Sequence, residues 1–206
     1  MPNKAEGYGR KRLLSVFSAF LFLLLSLPVH AGVPMDTVQA NVDKVLEVLR
    51  DPKLKTESAK ETKKERLHHI YDGMFDQVEL SRRALAQNWN KLNLAQREEF
   101  VNLFRQMLEK AYIDKILAYA DEKVVFDREV QLSETQAEIQ TTIVTSSKKV
   151  PVFYRVILKG GGWKVYDVVI ENVSLVSNYR TQFNDILAKN TPEQMLETLR
   201  KKVKGQ

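Results

Sequence analysis

Val38, Val42, Val45, Leu46 and Leu49 recur at spacings of three and four, which places them on one face of an α-helix. The pattern stops at Asp51-Pro52, because the residue before a proline resists the helical region. A charged stretch from Lys53 to Arg66 leads into Leu67, Ile70, Tyr71, Met74 and Phe75 at the same spacing, so a second helix is expected to end near Gly73. The longest signal runs from Asn93 to Tyr119. Asn93 can cap it, with Gln96 at the reciprocal capping-box position. Phe100, Leu103, Phe104, Met107, Leu108, Ala111 and Tyr112 trace its apolar stripe, opposite a face rich in Arg and Glu.

After Asp121 the period changes. Thr135 to Thr145 is rich in β-branched residues, Val150 to Lys159 alternates, and Gly160-Gly161-Gly162 separates that run from Trp163 to Ile170. With Val124 to Phe126 as a further strand, this predicts about four antiparallel strands joined by short turns. In the last strand Trp163, Val165 and Val169 are expected to point one way and Tyr166, Val168 and Ile170 the other, so both faces need cover. Ser174 can cap a following helix, and Thr191-Pro192-Glu193-Gln194 opens the final one. Helices first, a sheet next and helices last define an α+β fold, read as a single domain over residues 32–206.

The start of the chain has a different character. Lys4, Arg10, Lys11 and Arg12 precede the apolar run Leu13 to Leu27, which ends at Pro28 before Val29-His30-Ala31. The run is shorter than the roughly 20 residues that cross a bilayer as a helix, so it is expected to be a cleaved signal peptide over residues 1–31. With no Cys in the chain, neither lipidation at a new amino terminus nor a disulfide framework is available, and the exported domain must rely on its core. Four of the 32 basic and one of the 26 acidic residues fall in the leader, so the remainder carries 28 against 25. That near balance, with no basic stripe interleaved with aromatics, argues against nucleic acid as a partner.

Candidate chemistry is sparse. His30 falls in the leader, while His68 and His69 are consecutive and point in different directions on a helix, so they do not form a chelating pair at i, i+4. No thiol, no glycine-rich loop opening a helix and no Ser in a nucleophile elbow is present; no metal, cofactor or catalytic residue is expected. Asp167 is the one acid inside an apolar strand, and pairing with a donor is its expected fate.

Two blocks carry a family resemblance. From Asn88 the chain reads N-W-N-K-L-N-L-A-Q-R-E-E-F-V-N-L-F-R-Q-M-L-E-K-A-Y, and from Gly161 it reads G-G-W-K-V-Y-D-V-V-I-E-N-V-S-L-V-S-N-Y-R-T-Q-F. They resemble the Q-R-x-x-F-x-x-x-F…Y and W-x-V-Y-D-V-x-I-E-G-V-S-L…Y-R segments of the MlaC family, also called the toluene-tolerance auxiliary family, and the likeness extends over about residues 36 to 203. Tyr166 and Asp167 match the Y-D pair, Val173 and Ser174 the V-S pair, and Tyr179 and Arg180 the Y-R pair. Asn172 replaces the Gly before V-S, which Asn tolerates in a left-handed conformation. Ala86 stands where the family often has Gly and is expected to crowd a helix contact.

The resemblance implies a non-enzymatic, monomeric periplasmic carrier in which the sheet and helices surround a hydrophobic cavity for phospholipid acyl chains. It also implies partners: an inner-membrane ABC transporter complex and an outer-membrane lipoprotein complex, with lipid asymmetry of the outer membrane as the outcome. A carrier pocket is expected between the concave face of the sheet and its flanking helices, where two layers stand apart without exposing backbone. The residues expected to line it are Met74, Phe75, Phe104, Met107, Leu108, Val156, Val169, Val173, Leu175 and Tyr179. The residues alone leave open a second class, a small-ligand receptor or enzyme on a cone-shaped α+β fold with Asp167 as the pocket acid.

Overall fold

The structure, a computed structural model, describes residues 33–119 and 122–205; the expected signal peptide lies outside them. Four helices precede the sheet: α1 (Pro34–Arg50), α2 (Lys60–Met74), α3 (Gln77–Leu85) and α4 (Leu94–Leu117). The sheet is an antiparallel meander in the order of the chain, with β1 (Lys123–Ser133), β2 (Gln136–Val144), β3 (Lys149–Lys159), β4 (Gly162–Ile170) and the two-residue β5 (Val173–Ser174). Helices α5 (Leu175–Leu187) and α6 (Pro192–Lys204) close the chain. The expected α+β order holds. Both capping boxes form, Asn93 with Gln96 on α4 and Thr191 with Gln194 on α6.

Two elements depart from the pattern in the sequence. Helix α3 breaks its own apolar stripe, because it buries Glu79 and Ser81 along with Leu80, Ala84 and Leu85. Its start is set by Asp76, whose side chain accepts from Glu79 N at 2.9 Å and from Lys159 Nζ at 2.7 Å. Strand β1 is far longer than Val124–Phe126. Its continuation carries Asp127, Arg128, Glu129 and Gln131, charges and amides suited to an edge strand.

The apolar interior is divided in two. One cluster lies among α3, α4, α5 and α6, where Phe100, Phe104 and Phe183 meet with ring centroids 5.1 to 5.5 Å apart. The other joins Val38 and Val42 of α1 to Ala137, Ile139, Val152, Val156, Val165 and Val168 of the sheet. Phe75 packs against both. The link between α2 and α3 is pinned to the sheet at that point, since Phe75 bridges Val165 and Asp76 N donates to Val165 O at 2.9 Å.

A bulge in β4 corrects the expected facing of its side chains. Val165 pairs with Val156 and Asp167 with Arg155, so Tyr166 is an extra residue and the alternation shifts there. Trp163, Val165 and Val168 therefore share the sheet core, with Ile170 packed against it, while Tyr166 and Asp167 turn to the side of α3 and α5. The strain at position 86 is conformational rather than a crowded helix contact: Ala86, which ends α3, has φ 49° and ψ −125°, a backbone that glycine adopts more readily. Asn172 has φ 67°, in the left-handed region that Asn tolerates.

Ala86→Gly is expected to raise the thermal midpoint by about 2–4 °C, equivalent to about 1 kcal/mol, by relieving the backbone strain. Differential scanning calorimetry measures it. Ala86→Val should move the midpoint the other way.

Candidate functional site

Asp167 organises the polar part of the molecule. Its side chain is 3% exposed, and both oxygens are occupied. Oδ1 accepts from Val176 N at 3.0 Å; Oδ2 accepts from Ser174 Oγ at 2.6 Å and from Arg155 Nη1 at 3.2 Å. Arg155 also donates from Nε to Glu138 Oε2 at 3.0 Å, so the carboxylates of two neighbouring strands share one guanidinium. Polar groups thus converge on Asp167 as a pocket acid would require, but they saturate it, and its role is to hold the start of α5 against β4.

A pocket of about 320 Å³ opens beside this pair, lined by Arg83, Arg155 and Arg180 with Tyr166, Asp167 and Ser174. The Arg83 guanidinium lies 3.9 Å over the Tyr166 ring and donates from Nε to Glu79 Oε1 at 2.7 Å. Arg82 grips the same carboxylate through Nε and Nη2 at 2.8 to 3.1 Å. Burial pushes the Glu79 carboxyl up, but the hydrogen bonds and charges of Arg82 and Arg83 together outweigh it and hold it below its ordinary 4.5. Asp76 is likewise pushed up by burial and, more strongly, down by Lys159 and the α3 amides. A second recess of about 630 Å³ runs along α2 and is lined mainly by Glu, Lys and Arg side chains together with His68 and His69; His68 meets Asp72 and Glu109 at 3.1 Å each.

The ten residues expected to line an apolar pocket fall on both sides of the divided interior. Phe104 and Leu108 are inside the helical cluster, with Met107 and Tyr179 half-buried against it. Met74 and Val156 are inside the sheet cluster, with Leu175 half-buried against that one. Phe75 touches both, Val169 is buried on β4, and Val173 is 55% exposed on β5. The Phe104 and Tyr179 rings meet at 5.0 Å, edge to face. Tyr71, absent from the expected set, stacks on Phe75 at 4.5 Å. Its phenol is pushed up to about 12, chiefly by burial, as is that of Tyr154 against the sheet cluster. Among the described residues no group of three or more His, Cys, Asp or Glu is placed to hold a metal, and no helix is long and apolar enough to cross a membrane.

The saturated polar node at Asp167 and the two apolar clusters beside it belong to a domain of the α+β class. A model described as MlaC protein matches residues 39–201, and the chain belongs to the MlaC family. It is 25% identical over 183 residues to the toluene tolerance protein ttg2D of Pseudomonas putida, covering 88% of this chain and 83% of that protein. It is 26% identical over 112 residues to the intermembrane phospholipid transport system binding protein MlaC of Haemophilus influenzae, covering 52% of each. Its fold is similar, with a TM-score of 0.75 and 21% identity, to the phospholipid-binding protein of Ralstonia solanacearum solved in complex with a phospholipid, covering 84% of this chain and 98% of that one.

Asp167→Ala is expected to lower stability by about 3 kcal/mol in urea unfolding, since it strips three donors of their acceptor. Glu79 and Asp76 set an acid dependence. Their folded values are depressed, so their contribution is complete above the ordinary values of 4.5 and 3.8 and is lost as pH falls through the lower folded values. Urea midpoints measured from pH 6 to pH 2 should fall in that acid window, about pH 4.5 and below, and Glu79→Gln should flatten the fall.

Proposed function

We propose that this protein is a periplasmic phospholipid carrier that shields acyl chains between its two apolar clusters and hands lipid from one membrane complex to another. The observation that carries this reading is the match of the family model across residues 39–201. The printed role of the Haemophilus relative and the bound phospholipid of the Ralstonia structure support it. The physics is sufficient without catalysis: burying a dozen CH₂ groups of a chain outside a membrane yields roughly 10 kcal/mol. On this reading the leader over residues 1–31 directs export and is removed. An inner-membrane ABC transporter complex and an outer-membrane lipoprotein complex are the partners, and neither cofactor nor metal takes part.

Chains entering at Phe75 would lie against the half-buried Met107, Leu175 and Tyr179, with Met74, Phe104, Leu108, Val156 and Val169 as the firmer wall behind. Val173, 55% exposed on β5, would meet the chains only near the surface.

Protein secreted with its leader and purified from the periplasm should release roughly one diacyl phospholipid per chain on organic extraction, read by mass spectrometry. Lipid-free protein purified in the same way from the periplasm would contradict the carrier role. Leu175→Asp should abolish loading with little change in melting temperature. Phe104→Asp, at a site 1% exposed, should lose the fold itself.

A further inference from the structure

We propose that the arginine pocket beside Tyr166 seats the phosphodiester of a lipid headgroup; the assignment rests on the carrier reading for the source of that phosphate. Charge comes first. The lining holds Arg83, Arg155 and Arg180 against Glu138 and Asp167, and adding the Arg82–Glu79 pair leaves the same single positive excess. A phosphodiester carries one negative charge and matches it.

The donors are prepared rather than consumed. Arg155 is held by both Glu138 and Asp167, whose two carboxylates outweigh its one charge, so the positive excess of the pocket lies with Arg83 and Arg180. Arg180 donates from Nε to Arg83 O at 3.0 Å and, among the described residues, forms no ion pair with a carboxylate. Arg83 is held from Nε by Glu79 and across its plane by Tyr166. In both residues the Nε bond fixes the guanidinium and leaves the terminal amino groups for an oxyanion, the geometry in which arginine binds phosphate in pairs of hydrogen bonds. At about 320 Å³ the pocket suits a headgroup phosphate and its glycerol, while acyl chains must lie elsewhere.

Position supplies the rest. Ser174, which caps α5, and the first three residues of that helix divide the surroundings among them. Ser174 and Ser177 line the pocket, Leu175 packs on the sheet cluster, and Val176 lines the pocket while belonging to the helical cluster. The pocket therefore lies against the start of α5, a segment that contributes to both clusters, and a headgroup would rest there if its chains passed between them.

The test is calorimetric titration of the mature protein with dihexanoyl phosphatidylglycerol, with dihexanoylglycerol, which lacks the phosphate, and with glycerophosphoglycerol, which lacks the chains. Arg180→Gln should weaken the phospholipid at least about tenfold and leave dihexanoylglycerol unchanged. Lys201→Gln on α6, an equal loss of charge far from the pocket, should alter neither. If Arg180→Gln proves unstable in a melting scan, Arg180→Lys should retain the charge and lose the bidentate fit, giving an intermediate affinity. Unchanged phospholipid binding in an Arg83→Gln, Arg180→Gln double variant that still takes dihexanoylglycerol would overturn the phosphate seat and leave the carrier reading intact. Wild-type protein that binds neither lipid would overturn the carrier reading; glycerophosphoglycerol binding lost with Arg180 would then support a site for a free phosphate ester. Arginine-dependent binding of hexaglutamate without binding of glycerophosphoglycerol would overturn the proposal in favour of an acidic protein partner.

Discussion

A carboxylate taken out of water costs several kcal/mol unless charge and hydrogen bonds replace its hydration, and Asp167 has that replacement only because β4 carries an extra residue. The bulge at Tyr166 turns Asp167 away from the sheet core and toward Arg155, Ser174 and the amide of Val176. The start of α5 is thereby bound to β4 at its first turn, and Ser174 is free to cap it through Ser177 N at 3.0 Å. Without the bulge Asp167 would fall on the face where Val165 and Val168 pack with α1, among apolar side chains.

Two consequences follow for packing. Val165 and Val168, which flank the bulge, both serve the sheet cluster while Tyr166 and Asp167 at the bulge face α3 and α5, so the sheet cluster and the helical cluster do not merge along β4. Phe75, held to Val165 by the backbone of the α2–α3 link, is where they touch. A domain with one continuous core has little reason to part along a plane. A domain with two cores, each closed by its own buried aromatic or branched residues, can take flexible chains between them while each half keeps its packing.

The long helices, the hairpin at the glycines and the order of elements were legible because each has a clean period and a local stop signal. Helix α3 was not. Its buried Glu79 is satisfied by Arg82 and Arg83 one turn further on, and a polar residue inside a stripe erases the period that would reveal it. The facing of β4 was misread for a related reason: a bulge leaves no mark in the order of residues, and strict alternation assigns Val168 to the wrong side. At position 86 the departure from glycine was visible, but its meaning lies in a positive φ that only the backbone reveals. The site was half legible. Apolar residues could be named, yet which of them sit at a seam and which are sealed depends on contacts between elements distant in sequence. The arginine pocket assembles Arg83, Arg155 and Arg180 from three elements and has no local signature.

The most direct test of chains lying between two cores is photo-crosslinking of the loaded protein with a phospholipid bearing a diazirine in its acyl chain, followed by peptide mapping. Adducts concentrated on Phe75, Tyr71, Leu175, Met107 and Tyr179 are the expected result. Adducts confined to the outer faces of α2 or α6, with none at Phe75, would contradict it.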